Sequence, residues 1–245
     1  MKRAIRQRCG FGCVVCGSSV YEYEHIEPTY AEAQRHDPDC MATLCPSCHG
    51  KVTRKLWSKD RIARASADPF CKREGFSFET LDPGEAHPYI VFAGLTTHNT
   101  PIPVQVEDQP LMRIDPPEQP GAPHQISATF YDDQGRLALT IDRNEWRPSM
   151  KHWDVELVAD RLTIRSAARE IALSLRFVAG GGIEVEQMNM LVKKWRLEGS
   201  RDHLTVYRPD GGILNMTQCV ASYCKIGLQL GRGTQVGTGR LFGGL

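Results

Sequence analysis

The chain has 245 residues, 41% hydrophobic and 24% charged, with a net charge of +1. These are the values of an ordinary globular chain with room for one large or two small domains, and no run of 18 apolar residues is present to cross a membrane as a helix. The basic start MKRAIRQRCG lacks the apolar stretch of a secretory signal, which predicts a reducing, cytoplasmic setting without a membrane partner. There, nine cysteines are metal ligands and buried thiols rather than a disulfide framework.

Charge is uneven. Residues 1–64 hold 11 Lys and Arg against 7 Asp and Glu, while residues 65–245 hold 19 against 22. A basic N-terminal segment suits contact with a polyanion, and a solvated basic face would look the same.

Two Cys-x-x-Cys pairs, Cys13/Cys16 and Cys45/Cys48, are separated by 28 residues. Paired thiolates on two tight turns are the spacing of a four-cysteine zinc site, with Gly12 and Gly17 easing the first turn and Pro46 fixing the second. Between the pairs, YEYEHIEP (Tyr21–Pro28) reads as a strand that ends on Glu24 and His25. After the second pair, HGKVTRKLWSKDRIARAS reads as a single basic amphipathic helix from about His49. Its apolar face is Val52, Leu56 and Ile62, and Lys51, Arg54, Lys55 and Lys59 stand beside it as phosphate contacts. The four cysteines fill a tetrahedral site, so His49 is free to face the strand. A carboxylate at Glu24 and an imidazole at His49 can hold a divalent ion with open positions, leaving His25 to activate water.

Ten of the fifteen prolines fall between residues 66 and 123, which argues against long helices and for an extended connector with one or two short strands, YIVF (Tyr89–Phe92) the best of them. From about residue 124 to 230, alternating apolar runs are broken by turn signals at Asp133-Gln134-Gly135, Gly180-Gly181-Gly182 and Pro209-Asp210-Gly211-Gly212. Closely spaced strands of this kind predict an antiparallel sandwich or barrel. Trp146, Trp153 and Trp195 are expected in sheet cores or interfaces, and Cys71, Cys219 and Cys224 as small buried residues. The Gly-rich end reads as a loose tail.

The motifs CVVC (Cys13–Cys16), EHIEP (Glu24–Pro28) and LCPSCHGKVT (Leu44–Thr53), in that order, resemble the HNH endonuclease family in its zinc-bound ββα-metal form, over about a quarter of the chain. The resemblance implies an enzyme that hydrolyses phosphodiester bonds in DNA. His25 takes the position of the general base, Glu24 and His49 those of the ligands to a catalytic Mg2+ or Mn2+, and the four cysteines hold structural Zn2+. The family's Asn position is occupied by Cys40, with Asp39 beside it as a possible oxygen ligand.

The whole reading is an α+β chain. Residues 1–65 are the HNH module, 66–123 a Pro-rich connector, 124–230 a β-rich domain for targeting, assembly or regulation, and 231–245 a tail. DNA is the expected partner, with a homo-oligomer or protein partner engaged through the β-rich domain. Restriction or anti-phage defence is the setting such a pairing suits. The alternative is a zinc-stabilised nucleic-acid-binding or scaffold subunit with an inactive centre, a reading that Cys40 favours.

Overall fold

The computed structural model describes residues 1–26, 37–231 and 235–236. Glu27, Pro28 and most of the Gly-rich tail lie outside that range. The chain is α+β and β-rich, in two compact units: Met1–Glu79 with Arg147–Leu157, and Thr80–Trp146 with Val158–Leu245.

The first unit opens with α1 (Lys2–Cys9), which buries Ile5, Arg6 and Cys9 and stops at Gly10, whose φ of 80° closes the helix in the left-handed region. Strands β1 (Glu22–His25) and β2 (Met41–Leu44) form an antiparallel hairpin in which Glu24 pairs with Ala42 and His25 with Met41. A single 3-10 turn, Pro38–Cys40, leads into β2. Helix α2 (Pro46–Thr53) starts on Cys45 as N-cap with Pro46 in its first turn, so the second cysteine pair is itself the helix start.

The single amphipathic helix expected after Cys48 is two helices. Lys55 takes a φ of 59°, the chain turns, and α3 (Lys59–Ala67) begins at Ser58, whose hydroxyl accepts from the Arg61 amide. The turn removes Leu56 from the apolar face. It is 71% exposed, while Val52 and Ile62 are buried as expected. Helix α4 (Phe70–Glu74) follows, with Cys71 fully buried.

The unit's core gathers Ile5, Val14, Ile26, Leu44, Val52 and Ile62 with the cysteines Cys9, Cys13, Cys45 and Cys48. Residues 147–157 return to this unit and close on α1. Arg6 makes a bidentate pair with Asp154 at 2.7 and 2.9 Å, Gln7 donates to the Trp153 carbonyl, and the Arg3 guanidinium lies 4.0 Å from the Trp153 ring centroid. Strands β3 (Glu79–Thr80), β10 (Glu145–Pro148) and β11 (Asp154–Val158) run across the limits of the units.

The second unit is built from strands. The Pro-rich stretch supplies four of them, β4 (Tyr89–Phe92), β5 (Leu95–His98), β6 (Ile102–Val106) and β7 (Gln109–Asp115), while residues 66–79 belong to the first unit. The prolines obey their constraint: several lie outside the strands, and Pro103 and Pro110 are strand residues near strand starts. Next come β8 (Gln125–Tyr131), β9 (Leu137–Asp142), β12 (Arg161–Ala167), β13 (Glu170–Val178) and β14 (Gly182–Val192). Strands β15 (Trp195–Ser200), β16 (His203–Tyr207), β17 (Ile213–Thr217), β18 (Cys219–Ser222), β19 (Ile226–Leu230) and β20 (Gln235–Val236) complete the chain.

One sheet runs β20-β19-β6-β7-β8-β9-β10. The other runs β12 to β17 in sequence, with β4 continuing it beside β14 in parallel and β5 joining β4 to β18. Neither closes into a barrel, because the strands at the two ends of each order do not pair with one another. Strands β8 and β14 bring the two sheets against one another. The three expected turns fall between β8 and β9, β13 and β14, and β16 and β17. Trp146 and Trp195 are buried as expected, whereas Cys219 and Cys224 are only half-buried because β18 and the turn after it are at the surface.

Candidate metal centre and nuclease site

The first Cys pair sits on a knuckle held by main-chain bonds. The Cys13 amide donates to the Ser18 carbonyl at 2.8 Å, and the Gly17 amide donates to the Cys13 carbonyl at 2.9 Å. Gly17 is needed twice: its φ is 84°, and a Cβ there would lie 2.5 Å from the Phe70 ring. The knuckle is tied to the hairpin by the Val14 amide on the Thr43 carbonyl and by the buried Thr43 hydroxyl on the Gly12 carbonyl. At the second pair, Cys45 accepts the Cys48 amide on its own sulfur, as an N-cap does.

These turns bring the four sulfurs of Cys13, Cys16, Cys45 and Cys48 to within 4.8 Å of one another. The Cys16 and Cys45 sulfurs are 3.5 Å apart and those of Cys16 and Cys48 3.9 Å. Thiolates around one zinc at 2.3 Å stand about 3.8 Å apart, so the cage has the size for that ion. The charge pattern points the same way. The Cys16 thiol and nearby amides hold Cys13 down to about 5. Its thiolate in turn pushes Cys16 up, and burial with the neighbouring thiolates pushes Cys48 up to about 12. Crowded thiolates oppose one another's ionisation, and a divalent cation among them relieves that repulsion. Among the described residues this is the one group of three or more His, Cys, Asp or Glu that could hold a metal. Cys9 is buried in the same core and stands outside the cage.

On the other side of α2, one residue past Cys48, His49 meets β1. Its Nε2 is 2.8 Å from Glu24 and its Nδ1 3.1 Å from Glu22. Strand alternation explains the pair of carboxylates, since Glu22 and Glu24 share one face of β1 and Tyr23 and His25 the other. Glu22 was absent from the sequence-level site, although its i, i+2 relation to Glu24 on an expected strand was there to be read. The second oxygen of Glu24 accepts from the Lys59 ammonium, which also donates to the His25 carbonyl. His25 is half-buried with its Nδ1 turned inward.

The Asn position holds Cys40, and the loop is tied without that side chain. The Cys40 carbonyl accepts from the Ile26 amide at 2.8 Å, Asp37 caps the turn by accepting the Asp39 amide, and the Arg8 guanidinium donates to the Pro38 and Met41 carbonyls. Asp39 and Cys40 line a separate recess with Arg8, Ile26 and Lys72, and Asp39 forms no metal group with Glu24 and His49.

The expected phosphate contacts cluster at the α2–α3 turn. Lys51 and Arg61 stack on Trp57, 4.5 and 4.0 Å from its ring centroid, and Lys55, Leu56, Lys59 and Arg64 line a cleft of about 800 Å3 with it. Arg54 caps α2 at the same turn. Trp57 and Arg61 join the basic group through this stacking, which sequence spacing does not show.

Comparison with curated proteins returned no match, and comparison with solved structures returned none. The family model for HNH endonuclease matches residues 13–55, the segment that holds both knuckles, the hairpin and α2. The N-terminal unit therefore carries an HNH endonuclease domain.

Proposed function

We propose that this chain is a metal-dependent endonuclease that hydrolyses phosphodiester bonds in DNA. The observation that carries the reading is the Glu24–His49 contact across β1 and α2, inside the family-matched segment and beside the four-cysteine cage.

The donor set fits a hard divalent ion: a carboxylate oxygen and an imidazole nitrogen, with the remaining positions open to water and phosphate. Glu24 and His49 would hold Mg2+ or Mn2+, which when bound supplies Lewis-acid stabilisation of charge at the phosphate and the leaving oxygen. Glu22 orients the His49 ring through its other nitrogen, as outer carboxylates do for metal-bound histidines. His25, the next residue along β1, is the candidate to accept the proton of the attacking water by its place in the motif, although strand alternation sets it on the other face from Glu24. The four cysteines would hold Zn2+, and Cys45 as N-cap fixes the start of α2 and so the position of His49. Lys51, Arg54 and Lys55 place the DNA backbone, and Asp39 is left out of the ligand set.

The second unit would select the target, assemble the enzyme or gate it, a division that suits restriction or anti-phage defence. The alternative, a binding or scaffold subunit with a dead centre, rests on Cys40 at the Asn position; in this chain Asp37, Arg8 and the Cys40 main chain tie that loop.

The test is incubation of the full chain with plasmid DNA and Mg2+ or Mn2+, beside His25→Ala at equal zinc content. Cleavage by the wild type, reduced about 10²–10⁴-fold in the variant, is the expected result. Equal cleavage by both proteins, or none by the wild type across both ions and both single- and double-stranded substrates, would sink the enzyme reading in favour of a binding module.

A further inference from the structure

Lys59 is the first residue of α3, its backbone fixed by the Ser58 cap. Its side chain reaches back to β1 and sets its ammonium on the Glu24 carboxylate and the His25 carbonyl. Glu24 is 16% exposed at its side chain, so a carboxylate largely withdrawn from water has one oxygen on Lys59 and the other on His49. Two hard oxygens from adjacent residues, with an imidazole alongside, form a position for a cation, and an ammonium is in it.

We propose that the Lys59 ammonium is an exchangeable stand-in for the divalent ion: it neutralises Glu24 while the site is ion-free and is displaced by the ion. This rests on the reading of Glu24 and His49 as ligands. The reasoning is electrostatic. A divalent ion on Glu24 and the ammonium cannot share one carboxylate oxygen, because two cations a few ångströms apart in a partly desolvated site repel strongly. Lysine suits the role, having a compact charge on a flexible four-carbon stem, with no fork to hold it in one bidentate geometry. At 35% side-chain exposure it has a way out, and it already lines the basic cleft with Lys55, Arg61 and Arg64. Once displaced, its charge joins that cleft and is available to a phosphate. Ion loading and backbone binding are thereby coupled through one side chain, with no movement of the fold.

The test uses the full chain with its zinc retained. Mn2+ binding is followed by loss of the free-ion EPR signal for the wild type, Lys59→Met and Glu24→Gln. Acetylation of Lys59 is measured by mass spectrometry with and without Mg2+. Lys59→Met should bind Mn2+ about tenfold tighter than wild type, equivalent to about 1.4 kcal/mol. In the wild type, Mg2+ should raise Lys59 acetylation several-fold, and in Glu24→Gln the amine should be reactive without Mg2+. Equal or weaker Mn2+ binding by Lys59→Met, with binding lost in Glu24→Gln, would overturn the exchange and leave the ligand reading standing. Acetylation of Lys59 in the wild type that is indifferent to Mg2+ would overturn the exchange by a route that needs no variant to fold. Mn2+ binding that survives Glu24→Gln unchanged would remove the ligand reading and the exchange together.

Discussion

Arg6 is 4% exposed, and its guanidinium is held by both Asp154 oxygens, by Glu156 at 2.6 Å and by the Tyr23 hydroxyl at 3.2 Å. Burial works against its charge, yet the hydrogen bonds to Asp154 and Tyr23 more than restore it and raise its pKa above the ordinary arginine value. A buried pair of this kind adds little net stability against an apolar substitute, but removing one partner strands the other charge. Arg6→Ala should therefore cost about 3–5 kcal/mol, read as a shift in urea unfolding of the first unit. Glu22 acts by a gentler route. Its contact is with the outer nitrogen of His49, so Glu22→Gln should lower cleavage about 10–100-fold with zinc content unchanged, less than the loss from Glu24→Gln. Cleavage rates of the two variants side by side check the ranking.

At the scale of elements, two features set the geometry by sterics and charge. The β13–β14 turn ends on Gly182, opposite Tyr89 of β4, where a Cβ would lie 1.8 Å from the Tyr89 carbonyl oxygen. Only main-chain movement could relieve that contact, so Gly182→Ala should cost about 3 kcal/mol and unzip β4 from β14, visible in amide exchange of residues 89–92. The β8–β9 turn is organised by Asp132, fully buried, which accepts the amides of Gln134 and Arg136 and the Arg136 guanidinium. Burial pushes the Asp132 carboxyl up, but these donors outweigh it and hold its pKa below the usual carboxylate range. The group binds its proton more weakly folded than unfolded. Its contribution is thus complete above about pH 4 and is lost as the pH falls through the folded value. Asp132→Asn should flatten the acid limb of the stability–pH curve of the wild type, measured by urea unfolding from pH 7 to pH 3.

At the scale of the molecule, each unit is stabilised by its own means. Cys13, Cys45 and Cys48 are part of the first unit's apolar core, so the cage and the core form together. Zinc bound there would contribute on the order of 10 kcal/mol to folding, and its thiolates must be deprotonated. Chelation, or acid that protonates the sulfurs, should unfold the first unit. The second unit keeps its strand signal in circular dichroism, since its sheets bury apolar residues such as Leu111, Phe130, Leu175 and Leu197 without metal ligands. Simultaneous loss of both signals on zinc removal would contradict this.

The motifs were legible because their chemistry is local. Two Cys-x-x-Cys pairs, a strand ending in Glu24 and His25, and a histidine after the last cysteine can each be read within a few residues, as can the turns at Gly135, Gly180 and Gly211. The break between α2 and α3 was not. Val52, Leu56 and Ile62 keep a helical period through it, and the left-handed residue that closes α2, with the Lys55 amide on the Val52 carbonyl and the Leu56 amide on the Lys51 carbonyl, is a lysine rather than the glycine that would have signalled a stop. The Pro-rich stretch likewise reads as a connector, since proline at strand starts costs little only when neighbours supply the ladder, and those neighbours lie far along the chain. Strand β6 pairs with β19 and β4 with β14.

By itself, the sequence determined the four-cysteine cluster and the fold class, because residue type, spacing and strand alternation are properties of short segments. Only the tertiary structure decided which charges meet. Lys59 came to rest on Glu24, Glu22 on His49, and Asp154 on Arg6, from 148 positions away. Such pairings depend on how elements pack across distances that no local spacing encodes, and the burial that makes them strong exists only once the core has closed.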